Sequence, residues 1–160
     1  MEHTGRELAG GAFGGTVAGL ALSALFLGLE RASGKPSDIV QLGRRTAEKL
    51  GSPYRYNPDR PAFEEQAMSH GGHLVLSAAM GAVYPLVRSI PGFGGAGGGL
   101  LFGAAFYPLL WGLLGPALGV TPTPREEGAA TVTQRIGIHA AFGLITALVA
   151  NAVSSTRRAG

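Results

Sequence analysis

The chain has 160 residues, of which 46% are apolar, only 14% are charged and 27 are glycine. An ordinary soluble domain carries about 25% charge and about 7% glycine, so both figures are displaced. The apolar content excludes general disorder, and glycines clustered in apolar runs exclude a collagen repeat. With no cysteine there is no disulfide framework, thiol nucleophile or thiolate metal site.

The missing charge is concentrated. Residues 8–29, 66–87, 89–124 and 136–156 carry no Asp, Glu, Lys or Arg. A helix needs about 20 apolar residues to cross roughly 30 Å of hydrocarbon. The expected architecture is therefore all-α and polytopic, with four transmembrane helices over residues 8–29, 68–88, 94–115 and 136–156. A soluble bundle would show charges on one face of each helix at 3.6-residue spacing, and none of the four does. The first segment is too long for a signal-peptide core and has Glu7 at its boundary, so it reads as a retained helix.

Residues 30–65 form the main extramembrane loop. Within it, Lys35-Pro36-Ser37-Asp38 suggests a stop followed by an N-cap at Asp38, with Gln41 as its capping-box partner. Ile39, Val40, Ala47 and Leu50 then share one side up to Gly51, which predicts a short amphipathic helix. It could lie on the membrane surface or cap the bundle, since both environments select the same pattern. Pro61 suits the first position of a further helix, with Glu64 and Glu65 in its first turn, running into the second span.

Residues 10–29 and 94–113 are identical at ten of twenty positions, including Gly11, Gly15 and Gly19 against Gly95, Gly99 and Gly103. Span two resembles span four more weakly, through Ser77–Gly81 against His139–Gly143. The chain therefore reads as two tandem helical hairpins in parallel repeat, without the inverted repeat of many transporters. The six glycines at steps of four are candidate helix-packing positions, because small residues let backbones approach in lipid. The same strips could join copies of the chain into a homo-oligomer, which would suit a channel or carrier for a small solute. Pro108 predicts a kink in span three. Tyr84, Tyr107 and Trp111 suit the membrane interface or a helix contact.

Gly92–Gly97 fits GxGxxG, but no acid follows before Pro124 and the helix it opens is a membrane span, so no dinucleotide site is implied. Histidine has more chemical potential. His70 and His73 open span two and His139 opens span four, all near the face bearing the long loop. They could bind a transition metal as neutral imidazoles, or His73 and His139 could ligate haem axially. Hydrogen bonding between helices is the plainer role. No Ser-His-acid set is present, and Glu126 and Glu127 read as solvated loop carboxylates. The expectation is a protein without catalytic chemistry, acting as a structural or interaction component, with the lipid bilayer as its partner. The excess of 13 Lys+Arg over 10 Asp+Glu is too mild to require nucleic acid.

Nine Lys/Arg lie on the face with the two long loops and four on the face with the termini, which orients the loops to the cytoplasm. The run Pro116–Pro124, followed by Arg135-Ile-Gly-Ile-His139, resembles the YagU family of bacterial inner-membrane proteins. So do the glycine-rich first span, the Lys35-Pro36 step and a histidine opening a later span, His73. The resemblance implies a multi-pass bacterial inner-membrane protein and no particular substrate.

Overall fold

The structure is a computed structural model in which residues 2–52 and 55–156 are described. Among these residues every regular element is a helix, with no strand. The elements are α1 (Glu2–Ser33), α2 (Asp38–Lys49), α3 (Phe63–Arg88), α4 (Gly95–Phe106), a π-helical segment (Tyr107–Leu114), α5 (Gly115–Leu118), α6 (Pro124–Glu127) and α7 (Ala129–Thr156). Arg157 and Arg158, which enter the charge count on the terminal face, lie outside the described residues.

Among the described residues, three helical stretches are long and apolar enough to cross a membrane: Gly5–Ser33, Gly95–Leu118 and Ala129–Ser155. Three of the four expected spans, the first, third and fourth, meet that criterion of length and composition. The 26 residues of α3 have the length, but Glu64, Glu65, His70 and His73 lower its mean hydropathy.

The long helices pack as two antiparallel pairs, α1 with α3 and α4 with α7, joined mainly through α1 against α7. Glycine sets the closeness of each pair. A Cβ on Gly15 would clash with Ser77 O and come within 2.8 Å of Gly81 Cα, and one on Gly19 would sit 2.7 Å from Ser77 Cβ. In the second pair, a Cβ on Gly99 would meet Ala147 Cβ at 2.5 Å, and one on Gly103 would meet Gly143 N at 2.8 Å. Gly11 lies equally tightly on Gly81 and Pro85. These five glycines are thus covered by helices of the same chain. Gly95 is a correction of another kind. Nothing lies within 4 Å of its Cβ direction, and its φ of +73° identifies it as a left-handed residue opening α4.

Between the pairs, α3 and α4 touch only lightly, and aromatic rings fill the space. Tyr84 meets Phe102 edge-on at 5.3 Å between centroids, Phe102 meets Phe106 at 4.6 Å, and Phe106 meets Phe142 at 6.0 Å. Tyr84 is fully buried and Tyr107 is 3% exposed, so both serve helix contacts.

α2 lies across the loop end of the bundle, with Ile39 and Val40 buried beneath it. Each such side chain contributes about 1.5–3 kcal/mol by leaving water. Its N-cap is Ser37 rather than Asp38: the Ser37 hydroxyl accepts from the Val40 N–H, while Gln41 donates to Pro36 O. Glu30 explains the shift, because its buried carboxylate accepts the Ser37 N–H at 2.9 Å and the Gln66 amide, which places Ser37 at the helix start. Arg44 then ties α2 to Glu65 of α3. Glu65 also accepts the Ala62 N–H at 3.3 Å, so α3 begins at Phe63 and Pro61 precedes it.

Candidate functional site: a buried carboxylate at the loop end of the bundle

The densest polar arrangement inside the chain centres on Glu127, at the end of α6. Its side chain is 2% exposed, which corrects the expectation of a solvated loop carboxylate. Burying a carboxylate is costly unless it is paired and hydrogen-bonded. Glu127 meets both conditions. It accepts the Trp111 indole N–H at 2.8 Å and the Tyr107 hydroxyl at 3.1 Å, and it pairs with Arg135 of α7.

The donors are brought there by the backbone. Pro108 has no N–H to give, and the helix responds by widening into the π segment, where the Gly115 N–H reaches Leu110 O. The expected kink is thus accommodated as a π-helical stretch of eight residues. Its Tyr107 and Trp111, one turn apart, both point to α6. The acceptor is aimed by a local motif. Thr123 and Glu126 form a reciprocal cap: the Thr123 N–H donates to Glu126 at 2.7 Å and the Thr123 hydroxyl at 2.8 Å. Those two bonds, the backbone one first, hold the exposed Glu126 carboxyl below its usual range. With Glu126 turned outward into the cap, the next residue faces the bundle. The spacing Thr-x-x-Glu in Thr123–Glu126 was the sequence signal that could have identified Glu127.

Arg135 is the hub. One guanidinium nitrogen pairs with Glu127, another reaches Asp38 of α2 at 3.2 Å, and its carbon lies 4.2 Å over the Trp111 ring. Four elements (α2, the π segment, α6 and α7) therefore meet at one cation. Beside them lies a cavity of about 130 Å³.

The three histidines lie at this same end, but not as a ligand set. His73 Nδ1 is 3.1 Å from Ser23 Oγ of α1. His139 Nδ1 is 2.7 Å from Arg135 O, so that nitrogen carries the proton, and the ring stands edge-on to Tyr107. His70 is buried, and neither of its ring nitrogens finds a partner. Among the described residues no three His, Asp or Glu side chains gather to hold a metal ion, which corrects the metal grouping of His70, His73 and His139. For the pair His73 and His139, the visible bonds are helix-to-helix for one and within a turn for the other.

At the opposite end, Arg88 links Glu7 and Asn151, joining α3 to α1 and α7. Comparison with protein-family models, with curated proteins and with solved structures finds no match.

Proposed function

We propose that this chain is a four-span integral protein of the bacterial inner membrane, with its long loops cytoplasmic, acting as a structural or interaction component rather than an enzyme. The observation that carries the fourth span is the outward face of α3. Met68, Gly72, Val75, Leu76, Ala79, Val83 and Leu86 are exposed and recur at helical spacing, with no charge among them. Of the polar residues within that helix, His70, Ser77 and Tyr84 are buried. A helix bathed in water would reverse that distribution. Mean hydropathy averages both faces and so understates a span whose polar groups point inward.

The ring-filled centre of the bundle supports a packed role over permeation through one chain. The excess of basic residues in the long loops and the resemblance to the YagU family support the membrane and the orientation.

The chain has no natural cysteine, so single cysteines report position cleanly. Ser52→Cys lies between α1 and α3, and Ser89→Cys between α3 and α4. With an impermeant maleimide on intact cells and inverted vesicles, the two should label from opposite sides, with Ser52→Cys cytoplasmic. Labelling from the same side would show that α3 does not cross. A Soret band in the purified protein would move the assignment to haem held by His73 and His139.

A further inference from the structure

The cavity beside Arg135 is closed by α2 on one side and by the π segment and α7 on the other. It holds about 130 Å³, against roughly 30 Å³ for a water molecule in the liquid, so it admits a group of several heavy atoms. Its walls carry both signs of charge: Arg45 and Arg135, Asp38 and Glu127, with the Gln41 amide and the Trp111 ring beside them. On α2, Asp38, Gln41 and Arg45 follow one another at helical spacing, which turns all three to the same side.

Two groups here are not satisfied by the fold. Arg45 is exposed and makes no ion pair or hydrogen bond among the described residues. Arg135 has a buried Nε–H with no acceptor that is shielded from the cavity, and its other nitrogens are engaged by Glu127 and Asp38, so it contributes positive charge to the wall through a side chain that is 13% exposed. Both are donors of positive charge and call for an acceptor-rich anion, for which a guanidinium fork suits phosphate oxygens. A simple anion would also face Asp38 and Glu127. Asp38 is 40% exposed and gives Arg135 only one contact, at 3.2 Å, so it has acceptor capacity to spare for a cation.

We propose that the cavity binds a zwitterionic headgroup, a phosphodiester joined to a primary ammonium. The phosphate would lie between Arg45 and Arg135 and the ammonium on Asp38 and the Gln41 carbonyl. The site stands at the loop end of the spans, where headgroups lie. The adjoining Leu114, Leu118 and Ile136 are exposed and apolar, a surface for acyl chains. A phosphatidylethanolamine has all of these features, and the inference rests on the membrane reading only for the acyl chains.

The test uses the full chain, purified in detergent and analysed by native mass spectrometry with matched-chain lipids. Phosphatidylethanolamine should be retained several-fold over phosphatidylglycerol and phosphatidylcholine. Soluble glycerophosphoethanolamine should compete, which tests the cavity even if the topology were wrong. Arg45→Ala removes an exposed, unpaired residue and should weaken retention about tenfold, the order expected for one charge-assisted bond. Asp38→Asn should erase the preference for ethanolamine. Phosphatidylglycerol or phosphatidylcholine retained as well as phosphatidylethanolamine would overturn the proposal. So would wild-type retention by Arg45→Ala, or failure of glycerophosphoethanolamine to compete.

Discussion

Replacing Glu127 should cost more than any other single loop substitution. Its carboxylate is 2% exposed and receives three donors, from Tyr107, Trp111 and Arg135. Removing one partner of a buried ion pair typically costs about 3–5 kcal/mol, because the other charge is left without compensation. Arg135 keeps Asp38, but that carboxylate is 40% exposed and solvent-screened, so it offsets only part. For Glu127→Ala the loss is therefore about 3 kcal/mol, or about 6–12 °C in Tm for a chain of this size. Glu127→Gln keeps an acceptor for the indole N–H and should lose about 2 kcal/mol.

The assay is built into the molecule, because Trp111 is the only tryptophan. Its indole donates to Glu127 and lies under Arg135, so its emission should shift in Glu127→Gln before any unfolding. Thermal unfolding in detergent, followed by that emission, gives the stability change. Glu126→Gln is the control, one residue away but exposed and bonded only to Thr123. If the Glu127 variants unfold no earlier than Glu126→Gln, Glu127 is not the buried centre of the cluster.

Other consequences follow from single positions. Gly103→Ala places a Cβ against the backbone of α7, 2.8 Å from Gly143 N, and should cost about 1–3 kcal/mol as the helices separate. Gly137→Ala, with nothing within 4 Å, should stabilise by up to about 1 kcal/mol through helix propensity, and equal effects would refute the packing role. Gly95→Ala should cost about 1–2 kcal/mol at φ +73° despite open space, whereas Gly94→Ala, at φ −77°, should be nearly neutral by the same unfolding assay. The Glu126 carboxyl should titrate below the ordinary glutamate value in an NMR titration. Because its folded pKa is depressed, the cap's contribution is present above the unfolded pKa and fades as pH falls through the folded one. Thr123→Ala removes only the hydroxyl bond and should raise the midpoint partway, because the larger backbone bond from residue 123 remains.

The helical class, the amphipathic α2 and the close-packing glycines were legible because each leaves a periodic signature. Gly11, Gly15 and Gly19 recur at four-residue steps, and Ile39 and Val40 fall on the apolar side of α2. The charge-free run of α3 was legible as a helix, but the inward placement of its polar His70, Ser77 and Tyr84 was not, because no periodic signal marks it. Gly95 misled because its spacing matches the strip while its backbone angle removes it from the helix face. The Glu127 cluster had no periodic trace. Its members come from positions 38, 107, 111, 127 and 135, and only the three-dimensional path of the chain assembles them.

The internal repeat gives that cluster a structural precedent. Matching residues 10–29 to 94–113 pairs Ser23 with Tyr107, and matching Ser77–Gly81 to His139–Gly143 pairs His73 with Arg135. In the first helix pair, Ser23 and His73 bond directly at 3.1 Å. In the second, Tyr107 and Arg135 occupy the same two places and meet through Glu127. One polar link between antiparallel helices thus exists in both halves, neutral in one and ionic in the other, where a carboxylate from α6 has entered. The neutral link is the cheaper to lose, because a serine hydroxyl removed beside a part-buried imidazole forfeits one ordinary hydrogen bond. Ser23→Ala should cost about 1 kcal/mol, roughly a third of the Glu127→Ala effect. A double variant should show additive losses, since the two links share no partner. A loss from Ser23→Ala matching that from Glu127→Ala would mean that the first pair also carries a charge, and that His73 is protonated against Ser23.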